Sequence, residues 1–493
     1  MSYVELQKHY KKVSDLKHAL TMLQWDDAAV MPVGGGIARA DSIATLSGMV
    51  HSMVAAEPVG EWLQNAEQEL LSSWERANVR EMRTEWEQAR SLPADLVVAR
   101  SRATSRCEQA WRLARGDNDF AGVKTYLSEV LELTREQAAC LAKQTGGSLY
   151  DALLDLYEPG LKQSDFLPMF GQLRELLPGF ANEIIERQAE PKPLTGPFPV
   201  TNQKALAVEL MDHLGFDFDR GRLDTSHHPF CGGVPDDTRI TTRYSTANFL
   251  ESLFAVLHET GHALYEQGLP LEWRGQPVGI AGGMAMHESQ SLLMEMQVCR
   301  SAAFLKFATP LICSHLGSMP QESAWSEANL LAHANQVVKG LIRVEADEVT
   351  YPLHVILRYE IEIGLIEGDV TVDDLPELWN TKMVNYLGVS TTGDDKNGCM
   401  QDVHWFAGLF GYFPTYTLGA IAAAQIFNCA QTNLDDVMGD VSRGDFKKLV
   451  SWLRKNIHSS GRHLASLPLI EAVTGEPLNT TAFLSHLKQR YKS

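Results

Sequence analysis

His258 and His262 lie four residues apart in the apolar run LFAVLHETGHALYEQG, with Glu259 between them. On a helix, positions four apart sit one turn up and about 40° round, so both imidazoles can reach a single ion. A carboxylate just after the first histidine then lies beside that ion, where it can take a proton from water bound there. This is the H-E-x-x-H arrangement, and the chemistry it implies is metal-assisted hydrolysis. In a chain with 16 histidines the pattern alone is weak, so its surroundings must decide. Phe249, Leu250, Leu253, Phe254, Val256, Leu257, Ala263 and Leu264 make the segment apolar on nearly every side, which predicts a buried helix. Imidazoles and a carboxylate buried together need partners, and a shared metal ion would serve all three. Core histidines satisfied by hydrogen bonds are the competing reading.

A tetrahedral catalytic zinc takes three protein ligands and leaves its fourth position to water. The pattern H-E-x-x-H-x-x-G-x-x-H would put Gly at 265 and His at 268. The chain has Tyr265 and Gly268, which excludes that class. The other solution is a glutamate from a later helix, and GMAMHESQSLLMEMQV offers Glu288 and Glu295. Glu288 is the better placed, because it follows the loop that returns the chain to the metal helix. A carboxylate there could also serve only the helix N-terminus. Leu292 stands where thermolysin-like sites carry an Asp four residues after the ligand Glu, so support for the ligands must come from elsewhere.

The elements that must position these groups can be read from texture. From Tyr3 to about Leu161 the chain reads as long helices, broken at Met31 to Gly36, at Glu57-Pro58 and at Leu92-Pro93. Between residues 188 and 244 prolines, a Gly-rich HHPFCGGV and the strand-like DDTRITTRY predict a small sheet of three strands. Beyond Ala247 helical texture resumes, with loops at Gly268 to Gly283, Thr391 to Gly398 and near Pro414. NQVVKGLIRVEADEVTYPLH reads as a further helix. The expected fold is mainly α with one small β-sheet just before the metal helix, and a sheet edge there could hold an extended peptide. The single domain 1–493 divides into a mainly helical N-terminal region, residues 1–190, a sheet region, 191–246, and a helical region, 247–493, with the metal site.

Composition limits the partners. The chain carries 43 Lys and Arg against 62 Asp and Glu, a formal charge of -19, which repels phosphate backbones and anionic lipid. Neither nucleic acid nor membrane is an expected partner. The seven cysteines form no C-x-x-C pair and read as reduced thiols. With no apolar leader and no apolar run long enough to span a bilayer, a cytoplasmic protein is expected.

Five ordered motifs resemble the M32 metallocarboxypeptidases: DTRIT at 237–241, HETGH at 258–262, HESQ at 287–290, IRVEAD at 342–347 and GCMQDVHW at 398–405. LQWDDAAVMPVGGGIARA, the HPF at 228–230 and FGYFPTYTLG add to the likeness, which runs from about residue 20 to near the C-terminus. The resemblance implies a zincin-like helical metallopeptidase with a deep groove between two lobes, residues 1–190 covering that groove. It implies a homodimer that removes single residues from the free C-terminus of peptides. Zinc, one per chain, or cobalt as a substitute, would be held by His258, His262 and Glu288.

On that basis Glu259 is the expected general base for water activated by the metal. His404 and Tyr416 are the candidate donors to the oxyanion, and the choice between them stays open. Arg343 is the expected partner of the substrate carboxylate, against a structural i,i+4 pair with Asp347. Asp237, Arg239 and Thr241 alternate along the expected strand and so share a face, where they could fix the substrate backbone or, for Asp237 and Arg239, pair with each other. Gln401 and Asp402 could orient His404 or a metal ligand, and His228 could lie near the groove. An oligopeptidase or endopeptidase using the same metal helix is the rival enzyme, and a non-catalytic helical scaffold the rival outside enzymes.

Overall fold

The computed structural model describes residues 2–317 and 323–492. Among the described residues nine α-helices precede the sheet: α1 (Ser2–Ala29), α2 (Gly36–Val54), α3 (Glu57–Ala66), α4 (Ser73–Ser91), α5 (Ala94–Asp117), α6 (Phe120–Thr145), α7 (Leu149–Leu154), α8 (Gln163–Arg187) and α9 (Val200–Leu214). The predicted breaks fall where these helices end. The sheet has the expected three strands, β1 (Gly221–Thr225), β2 (Phe230–Val234) and β3 (Asp237–Thr242). Its order is β1-β3-β2, with β1 parallel and β2 antiparallel to the central β3, so β2 is an edge.

After the sheet come α10 (Phe249–Gly268), α11 (Met284–Leu292), α12 (Ala302–Leu316), α13 (Glu327–Ala334), α14 (Tyr351–Glu367), α15 (Leu375–Leu387) and α16 (Pro414–Asn433). The last described helices are α17 (Val437–Ser442), α18 (Lys447–Asn456), α19 (Ser466–Thr474) and α20 (Thr481–Lys492). A π-helical segment, Leu293–Cys299, continues directly from α11. No helix among the described residues is long and apolar enough to cross a membrane.

The expected helix over residues 335–354 is not formed. Residues 335–350 run irregularly apart from a 3-10 turn, Arg343–Glu345, and α14 begins only at Tyr351. The cause is local. Asp347 accepts from the backbone N–H groups of Val349 (2.9 Å) and Thr350 (3.0 Å) and from the Thr350 hydroxyl (2.8 Å). Those bonds compete with helix propagation, and Pro352 in the first turn favours a fresh start.

α10 lies at the centre of the fold. One face packs Val256 and Ala263 against Ile240 and Leu223 of the sheet and Ala207 and Met211 of α9. Its other side meets α11 at Gly261, where a Cβ would stand 2.5 Å from the Gln290 carbonyl oxygen and 2.6 Å from Ser291 Cα. α16 approaches α11 in the same way: a Cβ on Gly419 would stand 2.7 Å from Cβ and Cγ of Glu288. Glycine inside a helix costs about 1 kcal/mol relative to alanine, and here it allows close crossings on both sides of Glu288. α1, α3 and α4 keep a smaller apolar core of their own, built on Tyr3, Leu6, Tyr10, Leu63 and Met82.

Candidate metal centre

α10 brings His258 and His262 to one side, with ring centroids 5.0 Å apart. α11 brings Glu288 to meet them. Its Oε2 lies 3.4 Å from His262 Nε2 and 3.8 Å from His258 Nε2. Among the described residues these three form a group whose donor atoms all lie within 4.8 Å of one another. Ligands around 2.0–2.1 Å from a tetrahedral ion stand roughly 3.3 Å apart, so small movements would close this set on zinc.

The hydrogen bonds behind the rings test that fit. His262 Nδ1 lies 3.0 Å from the His287 carbonyl oxygen, which can only accept, so the proton is on Nδ1 and the Nε2 lone pair faces Glu288. His258 Nδ1 lies 2.9 Å from Glu295 Oε2, which holds a proton on that nitrogen too. Glu295 is anchored in turn by Arg300 through Nε (3.1 Å) and Nη2 (2.8 Å). The other carboxylate candidate of this helix therefore supports a ligand, and it supplies what Leu292 could not. The donor set fits a divalent metal: His262 turns an Nε2 lone pair toward Glu288, and at His258 a metal would take the place of the Nε2 proton that the surrounding carboxylates favour.

Glu259 is buried beside this group without belonging to it. Burial pushes its pKa up to about 7 against the pull of His258. Burial also lowers His262, to about 3, while Glu288, Glu295 and Glu259 outweigh burial at His258 and raise it to about 10. Three carboxylates crowd two rings, an arrangement that a divalent cation would neutralise.

α11 is held from outside its own sequence neighbourhood. Glu158 is buried and its Oε2 accepts from Ala285 N at 2.8 Å, while Met284 N donates to the Tyr157 carbonyl at 2.8 Å. Two of the free N–H groups at the start of the helix are thus satisfied by a strap between α7 and α8. Spacing gave no sign of this, because the partners are 127 residues apart.

The second group of expected residues gathers next to the first. Tyr351 Oη donates to Glu288 Oε1 at 3.4 Å, and its ring neighbours that of Tyr416 at 6.2 Å. His404 Nε2 and Tyr416 Oη are 3.0 Å apart, so the two oxyanion candidates are bonded to each other. Burial lowers His404 to about 3 and raises Tyr416 to about 12, leaving both neutral. The Arg343 guanidinium lies over the Tyr416 ring at 4.6 Å.

Arg343 is not paired with Asp347. Its Nε and Nη2 donate to Asp402 at 3.2 and 3.0 Å, and it is only 5 % exposed. Gln401 accepts from Arg343 N at 2.8 Å. Gln401 and Asp402 therefore hold Arg343, rather than the expected His404 or metal ligand.

Asp237, Arg239 and Thr241 do share a face of β3, but their polar atoms are engaged locally. Arg239 donates to Asp237 through Nε (2.5 Å) and Nη2 (2.8 Å) and lies 4.7 Å over the Trp25 ring of α1. Thr241 Oγ1 accepts from Phe230 N at 3.1 Å and from Ser226 Oγ at 2.7 Å. His228 is exposed, its ring 4.7 Å from that of His227. The seven cysteines are all free thiols.

Comparison with known proteins places nearly the whole chain in one family. Residues 5–491 match the carboxypeptidase Taq (M32) metallopeptidase family. The chain is similar to thermostable carboxypeptidase 1 of Thermus thermophilus, 40 % identical over 508 aligned residues that cover 99 % of this chain and 98 % of that one. It is 34 % identical to carboxypeptidase 1 of Bacillus subtilis, with 98 % and 96 % covered. The structure of Trypanosoma cruzi metallocarboxypeptidase 1 superposes with a TM-score of 0.97 at 40 % identity, over 100 % of this chain and 99 % of that one. With the family matched from end to end and a histidine-histidine-glutamate group at its centre, the chain belongs to the M32 metallocarboxypeptidases, hydrolases acting on peptide bonds.

Proposed function

We propose that the protein is a zinc carboxypeptidase that removes single amino acids from the free C-terminus of peptides. His258, His262 and Glu288 are the ligands, Glu259 is the general base, and Arg343 receives the substrate carboxylate. The observation that carries this reading is the convergence of His258 Nε2 and His262 Nε2 on Glu288 Oε2, at 3.8 and 3.4 Å, with Glu259 buried beside them and outside the group.

Zinc in this group would act as a Lewis acid on the scissile carbonyl and lower the pKa of water. The rest of the chemistry belongs to the chain. Glu259 takes a proton from the attacking water at its carboxylate and passes it to the leaving amine. His404 and Tyr416, neutral and bonded to each other, offer donors to the developing oxyanion. Asp402 occupies the Nε and Nη2 edge of Arg343, and Nη1 has no hydrogen bond among the described residues. That nitrogen is left for the terminal carboxylate of a peptide.

Asp237 and Arg239, paired with each other, and Thr241, bonded to Phe230 N, hold the strand beside the metal helix in this reading rather than the substrate backbone. Cobalt substitutes for zinc, the enzyme is a cytoplasmic homodimer, and the helices of residues 1–190 cover a groove whose floor is formed by residues 247–493.

The test is product analysis on one peptide with a free and with an amidated C-terminus, alongside metal analysis. Stepwise loss of single residues from the free acid alone is expected. Internal cleavage of both peptides would establish the oligopeptidase reading instead.

A further inference from the structure

Arg343 does not stand alone. Asp402 also accepts from Arg358 Nε at 2.8 Å, so one carboxylate is shared between two guanidinium groups. Arg358, on α14, is fully buried; its Nη2 lies 2.7 Å from Asp402 as well and donates to Gln401 Oε1 at 2.7 Å, and its Nη1 donates to the His354 carbonyl at 2.6 Å, so Asp402 is its one charged partner among these bonds. His354 is uncharged, its pKa driven well down by burial. Glu362, one turn along α14, bonds to neither arginine and accepts instead from Trp405 Nε1 (2.8 Å), Tyr150 Oη (2.6 Å) and Gly411 N (3.2 Å). The hydrogen-bonded cluster Arg343–Asp402–Arg358 thus holds two positive charges against one negative charge.

An Arg343–Asp402 pair alone would be neutral and would show an approaching anion little more than a dipole. Arg358 restores a full charge to the cluster. Packing holds both guanidinium groups in place, Arg358 4.5 Å over the Trp379 ring and Arg343 4.6 Å over that of Tyr416, with Phe413 within 5.7 Å of each. Inside a protein an uncompensated charge of this kind acts strongly on its neighbours.

We propose that Arg358 is a specificity-determining positioning residue: it never touches substrate, but it leaves Arg343 with an unbalanced positive charge that the terminal carboxylate of the peptide neutralises. The inference rests on the carboxypeptidase reading above and adds the source of its selectivity for a free acid.

Arg358→Met removes the charge at similar length, and Arg358→Lys keeps it while losing the guanidinium geometry. In the metal-loaded enzyme we expect Arg358→Met to raise KM for a free-acid peptide about tenfold with kcat within about twofold, and Arg358→Lys to restore most of that loss. Metal content and thermal melting, measured on both variants, separate this from misfolding. Equal KM values in the Met and Lys variants, or a parental KM in Arg358→Met, would overturn the proposal. Arg343→Ala distinguishes the two levels. An unchanged KM there sinks the carboxylate anchor itself, whereas a raised KM beside a parental Arg358→Met sinks only the role of Arg358.

Discussion

The site has two walls built in different ways. On the metal side, His258, Glu259 and His262 come from little more than one turn of α10, and Glu288 comes from a helix packed against it through Gly261. On the guanidinium side, Arg343 comes from a 3-10 turn, Asp402 from an irregular segment and Arg358 from α14. Helix geometry sets the spacing of the three α10 residues and one close helix crossing places Glu288, so the cross-links only have to orient rings. The second wall has no such template, and its geometry rests on hydrogen bonds between residues 44 and 59 positions apart. The metal wall should therefore respond to substitution in metal content and turnover, and the guanidinium wall in substrate affinity.

The largest effects are expected on the metal wall. His262→Ala removes a ligand, so metal analysis should find the ion lost and activity at background. Glu259→Gln should keep the metal and lower kcat by about 10²–10⁴-fold, the usual range for a general base. Parental turnover in Glu259→Gln would remove this carboxylate from the mechanism. Next in size is Arg343→Ala, which should raise KM for free-acid peptides by about 2–3 kcal/mol of lost binding, with metal content unchanged. A loss of metal in that variant would break the separation between the walls.

Glu295→Gln probes the support of the first wall. The amide oxygen can still accept from His258 Nδ1, but the charge shared with Arg300 is gone. Metal affinity should fall by about 10–100-fold, read by competition with a chelator. Parental affinity would mean that this carboxylate does not tune its ligand.

The same contrast explains what could be read in advance. HETGH and Glu288 were legible because helical periodicity fixes where residues four apart point, and because Tyr265 and Gly268 excluded the alternative third ligand. The three strands and the helical breaks followed from proline, glycine and β-branched residues. The helix expected through Arg343 failed because its apolar spacing was real but Asp347 and Pro352 redirected the backbone. Glu158 and Arg358 gave no signal, since each acts on a partner distant in sequence and neither belongs to a periodic pattern. Glu295 was visible as a carboxylate on the right helix. Its place behind His258 depended on the depth of the α10–α11 crossing, which spacing does not encode.

That crossing gives the smallest and most discriminating prediction. A methyl group on Gly261 would meet main-chain atoms of α11, which cannot rotate away as a side chain can. The two helices would have to separate, taking Glu288 with them, so Gly261→Ala should lower stability by about 1–3 kcal/mol and weaken metal binding in step. Gly171 in α8 is the control, because nothing lies within 4 Å of its added Cβ. There the same substitution replaces a poor helix former with a good one and should raise stability by about 0.5–1 kcal/mol. Opposite shifts in Tm for the two variants would show that glycine at 261 is held by contact with α11. Shifts of the same sign would mean that the metal wall does not depend on that close approach.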